Sequence, residues 1–193
     1  MAERLPEQQG ADSPTPDWMV VRAMANGDSA ALDELYARHG SAVLGFLISR
    51  LSDRQLAEEV LQDVMLAAWD HAASFREESK VRTWLLAIAR NRAINSQRKR
   101  RVQQVELSES FQFSSDETGP LEHVVKQSER DLVREGIRQL PDQYREVLTL
   151  VFYHQLTGPE AAEVIGVSVG TIKSRLHRAK EMLRRVLRSE GSF

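Results

Sequence analysis

The stretch GVSVGTIKSRLHRAK, residues 166–180, decides how this chain folds. Gly166 and Val167 read as a tight turn, and Ser168 is placed to cap a helix whose apolar residues Ile172, Leu176, Ala179, Leu183 and Val186 step by four and three. Just upstream, LTGPEAAEVI (residues 156–165) sets Thr157 and Glu160 at capping-box spacing, with Pro159 tolerated in the first turn. Two short helices about a glycine turn predict a helix-turn-helix. Opposite the apolar stripe of the second helix stand Lys173, Ser174, His177 and Arg178, with Thr171 near its start. A helix carrying those groups can enter a major groove, where Lys and Arg reach guanine acceptors or phosphates and hydroxyls supplement them. A plain amphipathic hairpin shares the periodicity, but its solvated face would mix charges where this one is cationic.

Outward from that stretch, a formal net charge of −2 hides strong segregation. Residues 76–101 carry nine Lys/Arg against Glu77 and Glu78, and residues 171–188 carry seven against Glu181. Between them, residues 102–125 have no Lys or Arg and five acids. Two polyanion-facing surfaces joined by an acidic connector account for this pattern. The connector is rich in Ser, Gln and Glu and holds a Gly119-Pro120 pair, which predicts a flexible linker. Residues 1–17, with Pro6, Pro14 and Pro16, read as a disordered tail whose last residue, Asp17, is placed to cap the first helix. Through residues 18–101 the apolar residues recur at helical spacing, as in Leu32, Leu35, Tyr36 and His39, and no strand run stands out. The expectation is an all-α chain: a tail (1–17), a small helical domain (18–101), the linker (102–125) and a helix-turn-helix domain (126–193).

Within the first basic block, TWLLAIARNRAINSQRKRR (residues 83–101), helical projection puts Leu85, Leu86, Ala89 and Ala93 on one side and Trp84, Ile88, Asn91, Asn95 and Arg98 on the other. Apolar and aromatic surfaces can support unstacked bases, and amides can read their edges. Trp84 has a second reading, as a core anchor under a neighbouring helix. The preceding helix is acidic, with Glu59 and Asp63 four apart beside Gln62. Like charges so spaced cost a few tenths of a kcal/mol in an isolated helix, a cost that a basic protein partner offsets.

Other classes fit poorly. The chain has no cysteine, so it holds no disulfide and no thiolate zinc site, and it has no phosphate-binding G-x-x-x-x-G-K-[ST] loop. Its histidines, at 39, 71, 123, 154 and 177, are scattered, so no metal, cofactor or enzymatic activity is expected. The N-terminus lacks an apolar signal region and no run of eighteen apolar residues occurs, which predicts a cytoplasmic protein without membrane insertion.

The assembled residues resemble the extracytoplasmic-function (ECF) sigma factors, the small sigma-70-type subunits that give bacterial RNA polymerase its promoter specificity. The resemblance lies in AEEVLQDVMLAAWDHAASFREESKVRTWLLAIARNRAINSQRKRR (57–101) for region 2 and LPDQYREVLTLVFYHQLTGPEAAEVIGVSVGTIKSRLHRAKEMLR (140–184) for region 4, with ALDELYARHGSAVLGF (31–46) before them. It implies an alternative sigma factor that binds core RNA polymerase and promoter DNA. Gln62 and Asp63 would then occupy the acidic docking positions toward the largest subunit. Phe75 and Asn91, with Ile88 nearby, would hold a flipped base of the minus-ten element. Lys173, Ser174, His177 and Arg178 would face the minus-thirty-five element, with Thr171 and Arg175 on phosphates. The acidic connector would follow the RNA path. An anti-sigma protein wedged between the two domains is a further implied partner, and the free chain is expected to be extended or mobile about residues 102–125. Three positions depart from the family. Gly158 and Ala161 stand where an aromatic and a bulky aliphatic are common, implying a looser first helix, and Lys80 stands where small or polar residues are usual. The competing reading is a free-standing helix-turn-helix regulator, which has no use for a flipped-base pocket.

Overall fold

The computed structural model describes residues 15–110 and 129–189, and the side chains of residues 15–102 and 132–189. Among the described residues the chain is helical and contains no strand. The first module comprises α1 (Asp17–Ala25), α2 (Ser29–Leu51), α3 (Arg54–His71), a 3-10 turn (Ala72–Ser74) and α4 (Val81–Ser110). The second comprises α5 (Glu129–Arg138), α6 (Asp142–Leu148), a π turn (Thr149–Tyr153), α7 (Gly158–Ile165) and α8 (Val169–Ser189). Most of the acidic connector lies outside the described residues, although α4 itself runs past Arg101 to Ser110.

Local chemistry sets the helix ends. Asp28 accepts a hydrogen bond from the Ala30 amide at 3.0 Å to start α2, and Asp53 accepts one from the Leu56 amide at 3.1 Å to start α3. Asp17 does not cap α1. Pro16 occupies the N-cap position, and the Asp17 carboxylate instead lies 2.8 Å from Arg38 and 2.9 Å from His39 on α2. Arg38 also pairs with Glu34. The nearby positive charge from α2 competes for the carboxylate more effectively than a neutral amide can. Tyr36, expected on the inward stripe of α2, is 52% exposed, while His39 on that stripe is buried.

Leu35, Phe46 and Leu47 of α2, Val64 of α3 and Leu85, Leu86, Ala89 and Ala93 of α4 form the centre of the first module. The inward side of α4 is the one that its periodicity indicated. That apolar cluster continues without a break into Val147, Leu150, Ala161, Ala162, Val164, Ile165 and Ile172 of the second module. Ala161, at one of the positions that depart from the family, is fully buried. The two modules therefore rest on each other directly, α7 against α4 and the π turn against α2. The expectation of a free chain extended or mobile about residues 102–125 falls mostly on residues outside those described.

Candidate nucleic-acid and polymerase interfaces

The helix-turn-helix forms as its local signals require. Thr157 and Glu160 make a complete capping box: the Glu160 carboxylate accepts from the Thr157 amide at 2.7 Å, and Thr157 Oγ1 accepts from the Glu160 amide at 3.4 Å. Gly166, at φ 75°, provides the left-handed turn that ends α7. Ser168 Oγ then accepts from the Thr171 amide at 3.1 Å to start α8. Ile172 and Ala179 are buried, and Leu176, Leu183 and Val186 are half-buried. Lys173, Ser174, His177 and Arg178 are exposed on the other side, with Thr171 and Arg175 half-buried at its margins. Ser174 Oγ donates to the Thr171 carbonyl at 3.0 Å, which leaves its lone pairs outward. His177 lies 3.6 Å from Glu181 on the same helix. Sequence reading overlooked Lys180, whose ammonium sits 5.2 Å from the centre of the exposed Phe152 ring and extends the basic face toward the π turn.

In the first module, Asn91, Asn95 and Arg98 are exposed along α4 and Ile88 is half-buried beside them. Phe75 and Trp84 are half-buried and stack at 5.0 Å between centroids with a 51° tilt. Packing is thus the reading of Trp84 that holds: the indole supports Phe75 against the core rather than standing free. Glu59, Gln62 and Asp63 project from α3 into solvent. Leu66, one turn further on, is 60% exposed on the same side of α3, an apolar point within an acidic surface that charge counting alone overlooked.

A groove separates the two surfaces of this module. Glu59 and Asp63 line one wall and Arg92, Asn95, Lys99 and Arg100 the other. At its end Arg100 donates to Asp53 at 2.8 Å. The backbone amide of Leu56 and then the Arg100 guanidinium hold the Asp53 carboxyl below the usual carboxylate range. Among the described residues no cluster of histidine and carboxylate groups is placed to hold a metal ion. Nor is any described helix long and apolar enough to cross a membrane.

Each module keeps a basic helix with its apolar side in the core and its polar side open, and an acidic helix adjoins the first. That division of labour defines a sigma-70-type promoter-recognition subunit. The Sigma-70 region 2 family matches residues 35–102 and the Sigma-70 region 4 family matches residues 130–183. The ECF RNA polymerase sigma factor RpoE of Cereibacter sphaeroides is 36% identical over 171 residues, spanning 87% of this chain and 93% of that one. Two solved structures share the fold. CnrH, in complex with the cytosolic domain of CnrY, superposes with a TM-score of 0.66 and 27% identity over 90% of this chain and 97% of that one. RpoE of Bartonella quintana, in complex with the anti-sigma factor NepR, gives 0.63 and 28% over 81% and 96%. The chain belongs to the ECF sigma factors, and it is an alternative sigma factor that directs promoter recognition.

Proposed function

We propose that α3 docks this chain on core RNA polymerase through Glu59, Gln62 and Asp63, with Leu66 as the apolar contact at the centre of that surface. Asn91, Asn95, Arg98 and Ile88, with Phe75 behind them, engage the minus-ten element. Lys173, Ser174, His177 and Arg178 read the minus-thirty-five element, flanked by Thr171 and Arg175. The observation that carries this reading is the groove between α3 and α4, with acids on one wall and cations and an amide on the other. A protein docked on the acidic wall stands beside nucleic acid bound on the basic wall, an arrangement that a free-standing regulator does not need. The chain acts in the cytoplasm, where core polymerase is, and has no catalytic step of its own. An anti-sigma protein that contacts both modules is the expected antagonist, as the NepR complex of the Bartonella relative suggests. Such a bivalent partner gains the effective concentration of a linked pair.

Run-off transcription on genomic DNA with purified core polymerase tests the reading directly, since added chain should create new start sites. Asp63→Arg should weaken core binding at unchanged helicity. Core affinity equal to that of the natural protein would remove α3 from the docking surface.

A further inference from the structure

The C-terminal half of α8 carries charge that the recognition surface does not use. Lys173, His177, Lys180 and Arg184 step by four, three and four, so one flank of the helix holds them all, and all are exposed. From Lys173 to Arg184 the row advances eleven residues, about 16 Å at 1.5 Å per residue. The major groove is about 12 Å wide, and a recognition helix meets base edges with its N-terminal residues. Lys173 and His177 fit within that span, whereas Lys180 and Arg184 lie toward or past its far edge. Behind them α5 packs on α8 so closely that a Cβ at Gly136 would stand 3.0 Å from Leu183. With α5 at its back, this half of the helix stays at the rim of the groove, where the phosphates run.

The Lys180 ammonium is held there without being neutralised. It sits 5.2 Å from the centre of the Phe152 ring, which is itself 59% exposed. A ring attracts a cation through its quadrupole and leaves the charge in place, where a carboxylate would cancel it. Glu181, the one acid between residues 171 and 188, lies 3.6 Å from His177, and among the described residues Lys180 and Arg184 have no acidic partner. Arg54 and Arg100, also open to solvent, are paired with Glu58 and Asp53. Phe152 belongs to the π turn Thr149–Tyr153, and the chain leaves that turn through Gln155 at φ 55°, a left-handed conformation uncommon outside glycine. The backbone thus accepts an unfavourable conformation beside an exposed ring, and the ring presents a free cation.

We propose that Lys180, steadied by Phe152, and Arg184 form a phosphate clamp that grips the DNA backbone at the edge of the minus-thirty-five element and reads no base. The inference rests on the promoter-recognition reading, which gives the groove to Lys173, Ser174, His177 and Arg178. The clamp supplies affinity and orientation, and the groove residues supply sequence preference. Each phosphate it neutralises releases condensed counterions and adds about 0.9 to the slope of log affinity against log salt.

The test uses holoenzyme assembled from core polymerase and the full chain, bound to a promoter duplex mapped by run-off transcription across a series of salt concentrations. Lys180→Ala with Arg184→Ala should lower the salt slope by about 1.8, with preference among minus-thirty-five sequences and affinity for core polymerase both unchanged. Ethylation of the phosphates bordering the element should weaken binding of the natural protein and cease to matter for the double variant. Phe152→Leu keeps apolar bulk and removes the quadrupole, so it should weaken binding by up to about fivefold, and not at all once Lys180 is alanine. An unchanged salt slope in the double variant, with helicity matched by circular dichroism, would overturn the clamp. So would a loss confined to particular base pairs or to core binding, and a Phe152→Leu loss that persists without Lys180 would remove Phe152 from it. A natural holoenzyme indifferent to every base change in the minus-thirty-five element would sink the promoter-recognition reading instead, so the two failures are distinguishable.

Discussion

His154 should make the closure of the two modules on each other depend on pH. Its ring is 1% exposed, Nδ1 lies 3.3 Å from an Arg82 guanidinium nitrogen, and Nε2 is buried without a hydrogen-bond partner. With Arg82 donating to Nδ1, the neutral ring carries its proton on Nε2. A second proton would have to displace the guanidinium hydrogen bond and place a cation in an apolar junction. Burial first, and the Arg82 charge second, lower the His154 pKa from 6.5 to about 4. When the modules separate, the ring meets water and regains its ordinary value. The open form then binds more protons than the closed form between pH 4 and 6.5, so closure is favoured above that window and weakens as pH falls through it. Between pH 7 and pH 5 the linkage removes about 1.8 kcal/mol from closure, roughly a twentyfold fall in the closed-to-open ratio. Energy transfer between dyes on Ser41→Cys and Ser189→Cys, both exposed in a chain without cysteine, reads this ratio directly. His154→Phe keeps an aromatic edge against Phe46 and removes the titrating nitrogen, so the pH dependence should flatten. His39, which burial also lowers despite its Asp17 neighbour, remains in both proteins and cancels in the comparison. Parallel pH dependence in the natural protein and His154→Phe would refute the reasoning.

Two further outcomes concern DNA. Asn91→Ala should impair promoter opening more than initial duplex binding, since an exposed amide serves an unstacked base and unstacking costs a few kcal/mol; permanganate footprinting separates the steps, and normal opening would leave Asn91 without a role. Arg178→Ala should weaken minus-thirty-five binding by about 1–3 kcal/mol and relax preference at one position. A uniform loss across sequences with a shallower salt dependence would make Arg178 a phosphate contact instead.

Much of this protein is written at short range. The capping box at Thr157, the turn at Gly166 and the cap at Ser168 involve residues within four positions of one another, and a sequence window contains all the partners. The inward side of α4 was legible in the same way, because Leu85, Leu86, Ala89 and Ala93 repeat with the helical period and all are fully buried. The polar faces follow by exclusion: once the stripe turns inward, Asn91, Asn95, Lys173 and Arg178 have to face out. Asp17 marks the limit of such reading. It has the residue type of a cap, but Arg38 and His39 reach it from another helix.

The sequence alone determined two helical modules, their basic and acidic surfaces and their resemblance to a transcription subunit, because each of these follows from residue type and helical periodicity. Only the tertiary structure decided that the modules close on each other. Glu146 looks like one more surface acid on a short helix until Arg50, 96 positions away, and Arg90, 56 away, meet its carboxylate. His154 comes directly after a π turn, whose shifted hydrogen bonding turns the imidazole inward while Phe152 and Tyr153 stay exposed. No local period encodes such partners. Burial of a charge or a ring depends on which distant surface covers it, and that is settled when the two modules pack.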